Sequence, residues 1–99
     1  MEIARLNEKT LVIKGSIKKE IDYQEIKRHV APMLEGGIKN LEIKILDATS
    51  ITSSVLGYFL KLIHKDKIEL VIEVGDDRLF RLFHELSLAE AFHLSYLNL

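Results

Sequence analysis

Apolar and polar residues alternate strictly through Leu41-Glu42-Ile43-Lys44-Ile45, the period of a strand with one buried face. The period then changes. Val55, Leu56, Phe59, Leu60 and Ile63 recur at helical spacing and predict a helix from about Ser53 to His64. Upstream, Glu2 to Leu6 and Thr10 to Lys14 read as two short strands joined by the polar turn Asn7-Glu8-Lys9, a hairpin. Asp22-x-x-Glu25 has the form of a capping box opening a helix with Tyr23, Ile26, Val30, Met33 and Leu34 on one face. Gly36-Gly37 ends that helix, and Pro32 predicts a kinked or shortened last turn. Downstream, Ile68 to Val74 is rich in β-branched residues and reads as a strand. Asp76 or Asp77 caps a third helix carrying Leu79, Leu82, Phe83 and Leu86, and Phe92 to Leu97 is a candidate last strand. Strands separated by single helices must cross over and run parallel. The expected fold is therefore a single α/β domain over residues 1–99, with a mixed, mostly parallel sheet and three or four helices.

Composition narrows what such a domain does. The chain has 99 residues with 47% hydrophobic and 29% charged residues, an ordinary globular balance. Its formal net charge of −1, with 14 basic residues interleaved among 15 acidic ones, offers no electrostatic footprint for nucleic acid or an anionic membrane. The absence of cysteine excludes disulfides and thiolate metal sites and fits a reducing compartment. No apolar run approaches the ~20 residues of a membrane span, and the N-terminus lacks the pattern of a signal peptide. A soluble, cytoplasmic domain without membrane insertion is expected.

Catalytic and cofactor patterns are missing from the sequence. His29, His64, His84 and His93 fall on four different predicted elements without metal-ligand spacing. Neither a GxGxxG nor a P-loop motif cradles a phosphate, and no GxSxG marks a nucleophile. The expectation is a non-enzymatic chain with no cofactor and no metal. What stands out is "TSITSSVLG", residues 49–57, with hydroxyls at Thr49, Ser50, Thr52, Ser53 and Ser54 between a strand and a helix. One hydroxyl suffices to cap a helix, a contribution of about 1 kcal/mol. The others are loop filler on one reading. On the other, a serine exposed at a helix N-terminus is a phosphorylation switch: the positive helix end tolerates the added −1.5 to −2 charges, whereas a partner docked over them does not.

The segment "LEIKILDATSITSSVLGYFLKLI" resembles the central motif of STAS domains, the fold of bacterial anti-sigma factor antagonists. In that family an aspartate, the phosphoacceptor serine and another small residue precede a Gly-Leu-Gly helix start. Here Thr52 stands at the aspartate, Ser53 at the phosphoacceptor, Ser54 at the next position, and Val55-Leu56-Gly57 at the Gly-Leu-Gly. The segment "VGDDRLFRLFHELSLAEAFHL" is similar to the family's stretch after its fourth strand, with Ser87-Leu88 for a Gly-Leu turn and Phe92 for an aromatic. Lys14-Gly15-Ser16-Ile17 is similar to the Gly-Glu-Leu step that leaves the second strand. The resemblance implies a partner-switching protein, substrate and ligand rather than enzyme. Its partners would be an anti-sigma factor or related serine kinase, which phosphorylates Ser53 (with Thr52 and Ser54 as runners-up), and a phosphatase that reverses this. The expected contact surface comprises Ser50, Thr52, Ser53, Ser54, Tyr58 and Lys61, with Tyr58 either exposed as an anchor or packed on a neighbouring helix. The competing expectations are an unphosphorylated scaffold or accessory subunit of a larger complex, and a small-molecule binder at the strand-end crevice.

Overall fold

The computed structural model describes residues 1–97 and shows β1 (Glu2–Asn7), β2 (Thr10–Lys14), α1 (Glu20–Glu35), β3 (Asn40–Ile45), α2 (Ser53–His64), β4 (Glu69–Val74), α3 (Asp77–Glu85) and β5 (Ser95–Tyr96). The strands lie side by side in chain order in one sheet. Only the β1–β2 hairpin is antiparallel. The mixed, mostly parallel α/β sheet expected from the sequence is thus the fold of the chain. With strands in sequential order, right-handed crossovers carry every connecting helix to the same face. Burial agrees: Leu11, Ile13, Leu41, Ile43, Ile45, Leu70, Ile72 and Val74 are buried on alternate strand positions. The intervening positions Val12, Glu42, Lys44, Val71 and Glu73 keep partial access to solvent. On that second face Lys44 pairs with Glu73 across β3 and β4, and Lys9 approaches Glu42 at 3.4 Å.

The helices close the core from one side with Ile26, Val30 and Met33 of α1, Val55, Phe59 and Leu62 of α2, and Leu79 and Phe83 of α3. Phe92 sits between two of them, edge-on to Phe83 at 5.3 Å and to Phe59 at 6.2 Å. It reaches the core from a turn, closed by Phe92 N–H to Leu88 O at 3.0 Å and Leu94 N–H to Ala89 O at 2.9 Å. That turn trims the expected last strand to Ser95–Tyr96.

The start of α1 and the effect of Pro32 differ from the sequence expectation. Helix α1 starts at Glu20 rather than at Asp22, with Lys19 as its N-cap residue. Asp22 is the third helical residue, and its carboxylate reaches back to accept the Lys18 and Lys19 amides at 2.9 and 3.0 Å. Burial pushes this carboxyl up, but the two amides outweigh it and hold it below its usual value. A lowered folded value means that the contribution is complete above the unfolded carboxyl range and is lost as pH falls through the folded value. Asp22→Ala should therefore destabilise by about 1 kcal/mol near neutrality. Urea midpoints of variant and wild type should converge in acid. The second difference is that Pro32 does not shorten the last turn: α1 runs on to Glu35 with Gly36 as its C-cap, the end expected at Gly36-Gly37. Proline removes one amide, but the turn beyond it closes with Gly37 N–H to Leu34 O at 3.0 Å and Ile38 N–H to Met33 O at 3.1 Å. Gly37 at φ +90° supplies the left-handed residue this closure needs.

Helix α3 ends in the same pattern, with Ser87 N–H to His84 O and Leu88 N–H to Phe83 O, both at 2.9 Å. Here the left-handed position belongs to Ser87 at φ 59°, where glycine is favoured. Ser87→Gly should stabilise by about 1 kcal/mol, read as a higher urea midpoint at unchanged slope.

Candidate functional site

The hydroxyl-rich segment sits at the carboxyl ends of the parallel strands. As β3 ends, Leu46 N–H donates to Ile13 O at 2.9 Å, and Gly75 N–H beyond β4 donates to Ile45 O at 2.9 Å. The Asp47 carboxylate accepts the Gly15 amide at 2.7 Å, which ties the loop to the exit of β2. Buried Ala48 and half-buried Ile51 anchor the loop from beneath.

The hydroxyls then divide by role. Thr52 is the N-cap, extended at φ −81° and ψ 157°, and its Oγ1 accepts the Val55 amide at 3.2 Å. Ser53 and Ser54 are the first two helical residues and are exposed, as is Ser50. Among the described residues, none of these three serines has a side-chain hydrogen bond. A single cap is therefore met by Thr52, and the exposed hydroxyls have no structural task. The first turn of α2 contains no acidic residue, whereas α1 opens with Glu20 and Asp22 and α3 with Asp77. The positive end of α2 is left without a compensating carboxylate.

Gly57 follows Ser53 by one helical turn, and Lys61 follows by two; all three are exposed. A Cβ built on Gly57 would meet nothing within 4 Å. Val55, in contrast, is wholly buried in the core.

Of the two alternatives for Tyr58, the structure shows the one packed on the neighbouring helix. Tyr58 is only 7% exposed, and its ring meets Tyr23 of α1 edge-on at 6.1 Å. Burial, with smaller contributions from Asp66 and Tyr23, pushes its hydroxyl up to about 12. Lys61 Nζ lies 5.7 Å from the Tyr58 ring and 3.1 Å from Asp66. The structure thus brings Ser50, Thr52, Ser53 and Ser54 together at the start of α2, whereas Lys61 lies in its last turn beside Tyr58 and Asp66.

Residues of α3 border the same loop. Thr49 and Ser50 share a groove of about 380 Å³ with Arg78, Arg81 and Glu85. Arg78 is held by Asp76 at 3.0 Å and lowers that carboxyl. Arg81 has no ion pair among the described residues. The i, i+3 arginines are visible in the sequence, but their meeting with the loop comes from the sheet order. Among the described residues, no three His, Asp or Glu side chains form a group that could hold a metal ion. No helix among them is long and apolar enough to cross a membrane. No protein-family model matches the chain, and no curated protein matches it.

Proposed function

We propose that the chain is a STAS-type protein-binding domain, similar to anti-sigma factor antagonists, that works in a cytoplasmic partner-switching circuit. In its unphosphorylated form it binds an anti-sigma factor or related serine kinase and so releases that kinase's other client. The kinase transfers the γ-phosphoryl group of ATP to Ser53: the Ser53 oxygen bonds to phosphorus, ADP leaves, and the hydroxyl proton passes to a base of the kinase. A phosphatase hydrolyses the ester and restores binding. The chain itself performs no catalysis.

One observation carries this reading. Ser53 presents an unbonded, exposed hydroxyl at the first position of α2 while its neighbour Thr52 supplies the cap. A phosphate there can accept the free amides of the first turn and gains from the helix dipole, so the fold tolerates it. The adjoining surface supports a protein partner. Glycine inside an exposed helix is less stable than alanine by roughly 0.5–1 kcal/mol. Gly57 has no neighbour in its own chain that demands the missing side chain. Its bare backbone would let a docked partner approach α2 closely. Gly57→Ala should raise the melting temperature, by the equivalent of that 0.5–1 kcal/mol, and weaken partner binding. A higher melting temperature with unchanged binding would place the interface elsewhere.

The direct test incubates the protein with its candidate anti-sigma kinase and ATP, then reads intact mass and maps the modified residue. A single added phosphate on Ser53, lost in Ser53→Ala, is the expected result. No transfer by a kinase shown to be active removes the switch, and transfer that survives Ser53→Ala moves it to Thr52 or Ser54.

A further inference from the structure

The loop that leads into α2 is held by few bonds. Among the described residues, positions 48–51 make no backbone–backbone hydrogen bond. At the downstream end Thr52 caps the helix, and within the loop Ala48 is buried and Ile51 half-buried. At the upstream end Asp47 Oδ1 accepts the Gly15 amide at 2.7 Å, a bond between residues 32 apart in sequence. Among the described residues it is the only hydrogen bond that carries the stretch 47–51 to another element. Gly15 leaves β2 at φ +92°, the left-handed region, and a Cβ there would also stand 3.4 Å from the Met1 backbone. Asp47 is exposed, and so is the bond it makes. Water satisfies an amide in such a place equally well, so this bond fixes a position rather than rescuing a buried group.

We propose that Asp47 is a positioning residue for the Ser53 switch, an inference that rests on the reading of Ser53 as phosphoacceptor. The bond to Gly15 holds the loop sideways against the exit of β2, so that Ser50 and the start of α2 meet the kinase as one preformed surface. Ser53 itself belongs to α2 and stays in place without the bond. What goes with the bond is the order of residues 47–51, which the kinase must then restore on docking. Fixing loose backbone is opposed by its entropy, so partial loss of that order weakens docking about tenfold. The chemistry at the Ser53 oxygen is untouched. The loss therefore falls on KM for the protein substrate and spares kcat.

The experiment follows phosphate transfer from ATP by the candidate anti-sigma kinase to the full chain, over a range of concentrations of that chain. Asp47→Ala is expected to raise KM about tenfold and to keep kcat within about twofold. Asp47→Asn retains an oxygen acceptor at the same place and should bring KM back to within about threefold of wild type. Ile72→Val, a loss of one methylene in the buried centre of β4, lowers stability without touching the loop and should leave KM unchanged. Urea unfolding checks that all three variants are folded under the assay conditions. By nuclear magnetic resonance, the Gly15 amide should exchange with solvent faster in Asp47→Ala and as in wild type in Asp47→Asn. A KM for Asp47→Ala equal to that of wild type overturns the role of Asp47 and leaves the switch standing. An active kinase that transfers no phosphate to wild type removes the switch and this role with it. Two more results overturn the assignment. Asp47→Asn as poor a substrate as Asp47→Ala would make the carboxylate charge itself a kinase contact. Ile72→Val equally impaired would make lost stability the cause.

Discussion

Gly75→Ala should lower the melting temperature by roughly 12–24 °C, the equivalent of about 3 kcal/mol in a domain of this size. The reason is space rather than backbone conformation. A Cβ at Gly75 would stand 2.2 Å from the Leu46 carbonyl oxygen, with the Leu46 carbonyl carbon and a methyl of Leu97 each at 3.2 Å. The leucine methyl can rotate away, but the carbonyl cannot, because Leu46 is pinned by its amide bond to Ile13 O. To admit one methyl group, the exits of β3 and β4 must separate and break the Gly75 N–H bond to Ile45 O. Over-packing of this kind costs about 1–3 kcal/mol when side chains can adjust, and the upper end applies where backbone meets backbone. The displaced segment is the start of loop 46–52, so amide exchange there should accelerate with the loss of stability. The same substitution at Gly57 has the opposite expected sign, because open space surrounds that position. A thermal melt of the two variants side by side checks both. A Gly75→Ala protein that melts with wild type would mean that the strand ends are not held as the structure shows.

The strands and the start of α2 were legible in the sequence because each rests on local information. Alternation in Leu41–Ile45 marks the strand, and a hydroxyl ahead of an apolar helical stripe marks the cap. What the sequence obscured depends on neighbours that only the fold supplies. The stripe in α2 was read at residues 55, 56, 59, 60 and 63, yet the buried residues are Val55, Tyr58, Phe59 and Leu62. The rotation follows from α1 lying against α2, which covers the Tyr58 side and leaves Leu56, Leu60 and Ile63 half-buried. Asp22 was misplaced by three residues because an acid can serve a helix start either as its cap or by reaching back from the third position. Within the candidate site, an exposed serine at the start of α2 was legible in the sequence. The tie from Asp47 to Gly15 and the arginines facing Thr49 and Ser50 were not, since they join segments about 30 residues apart whose proximity is set by the order of the strands.

Ser53→Asp should reduce affinity for the partner on the order of 100-fold, equivalent to about 3 kcal/mol, while the domain stays as stable as wild type or gains slightly. The two halves of that result have separate causes. In the free protein, an aspartate at the first position of α2 is solvent-exposed and sits at a helix end that has no acid of its own. Such a charge contributes about 0.3–1 kcal/mol in favour of the fold. In the proposed complex the same carboxylate would be enclosed by the partner, and a buried charge without a counter-ion costs several kcal/mol. The helix end offsets part of that cost, which is why the expected loss is about 3 kcal/mol rather than more. Ser53→Ala separates charge from side-chain loss: it should bind like wild type and melt like wild type, because the cap belongs to Thr52. Thr52→Ala is the complementary control, expected to lower stability by about 1 kcal/mol. Binding is measured by calorimetry with the purified kinase partner, and stability by urea unfolding of the same preparations. A Ser53→Asp protein that folds normally and binds the partner as tightly as wild type would show that the docked surface does not cover Ser53. The exposed hydroxyls of this loop would then be ordinary loop residues, and the chain would act as an unphosphorylated binding module.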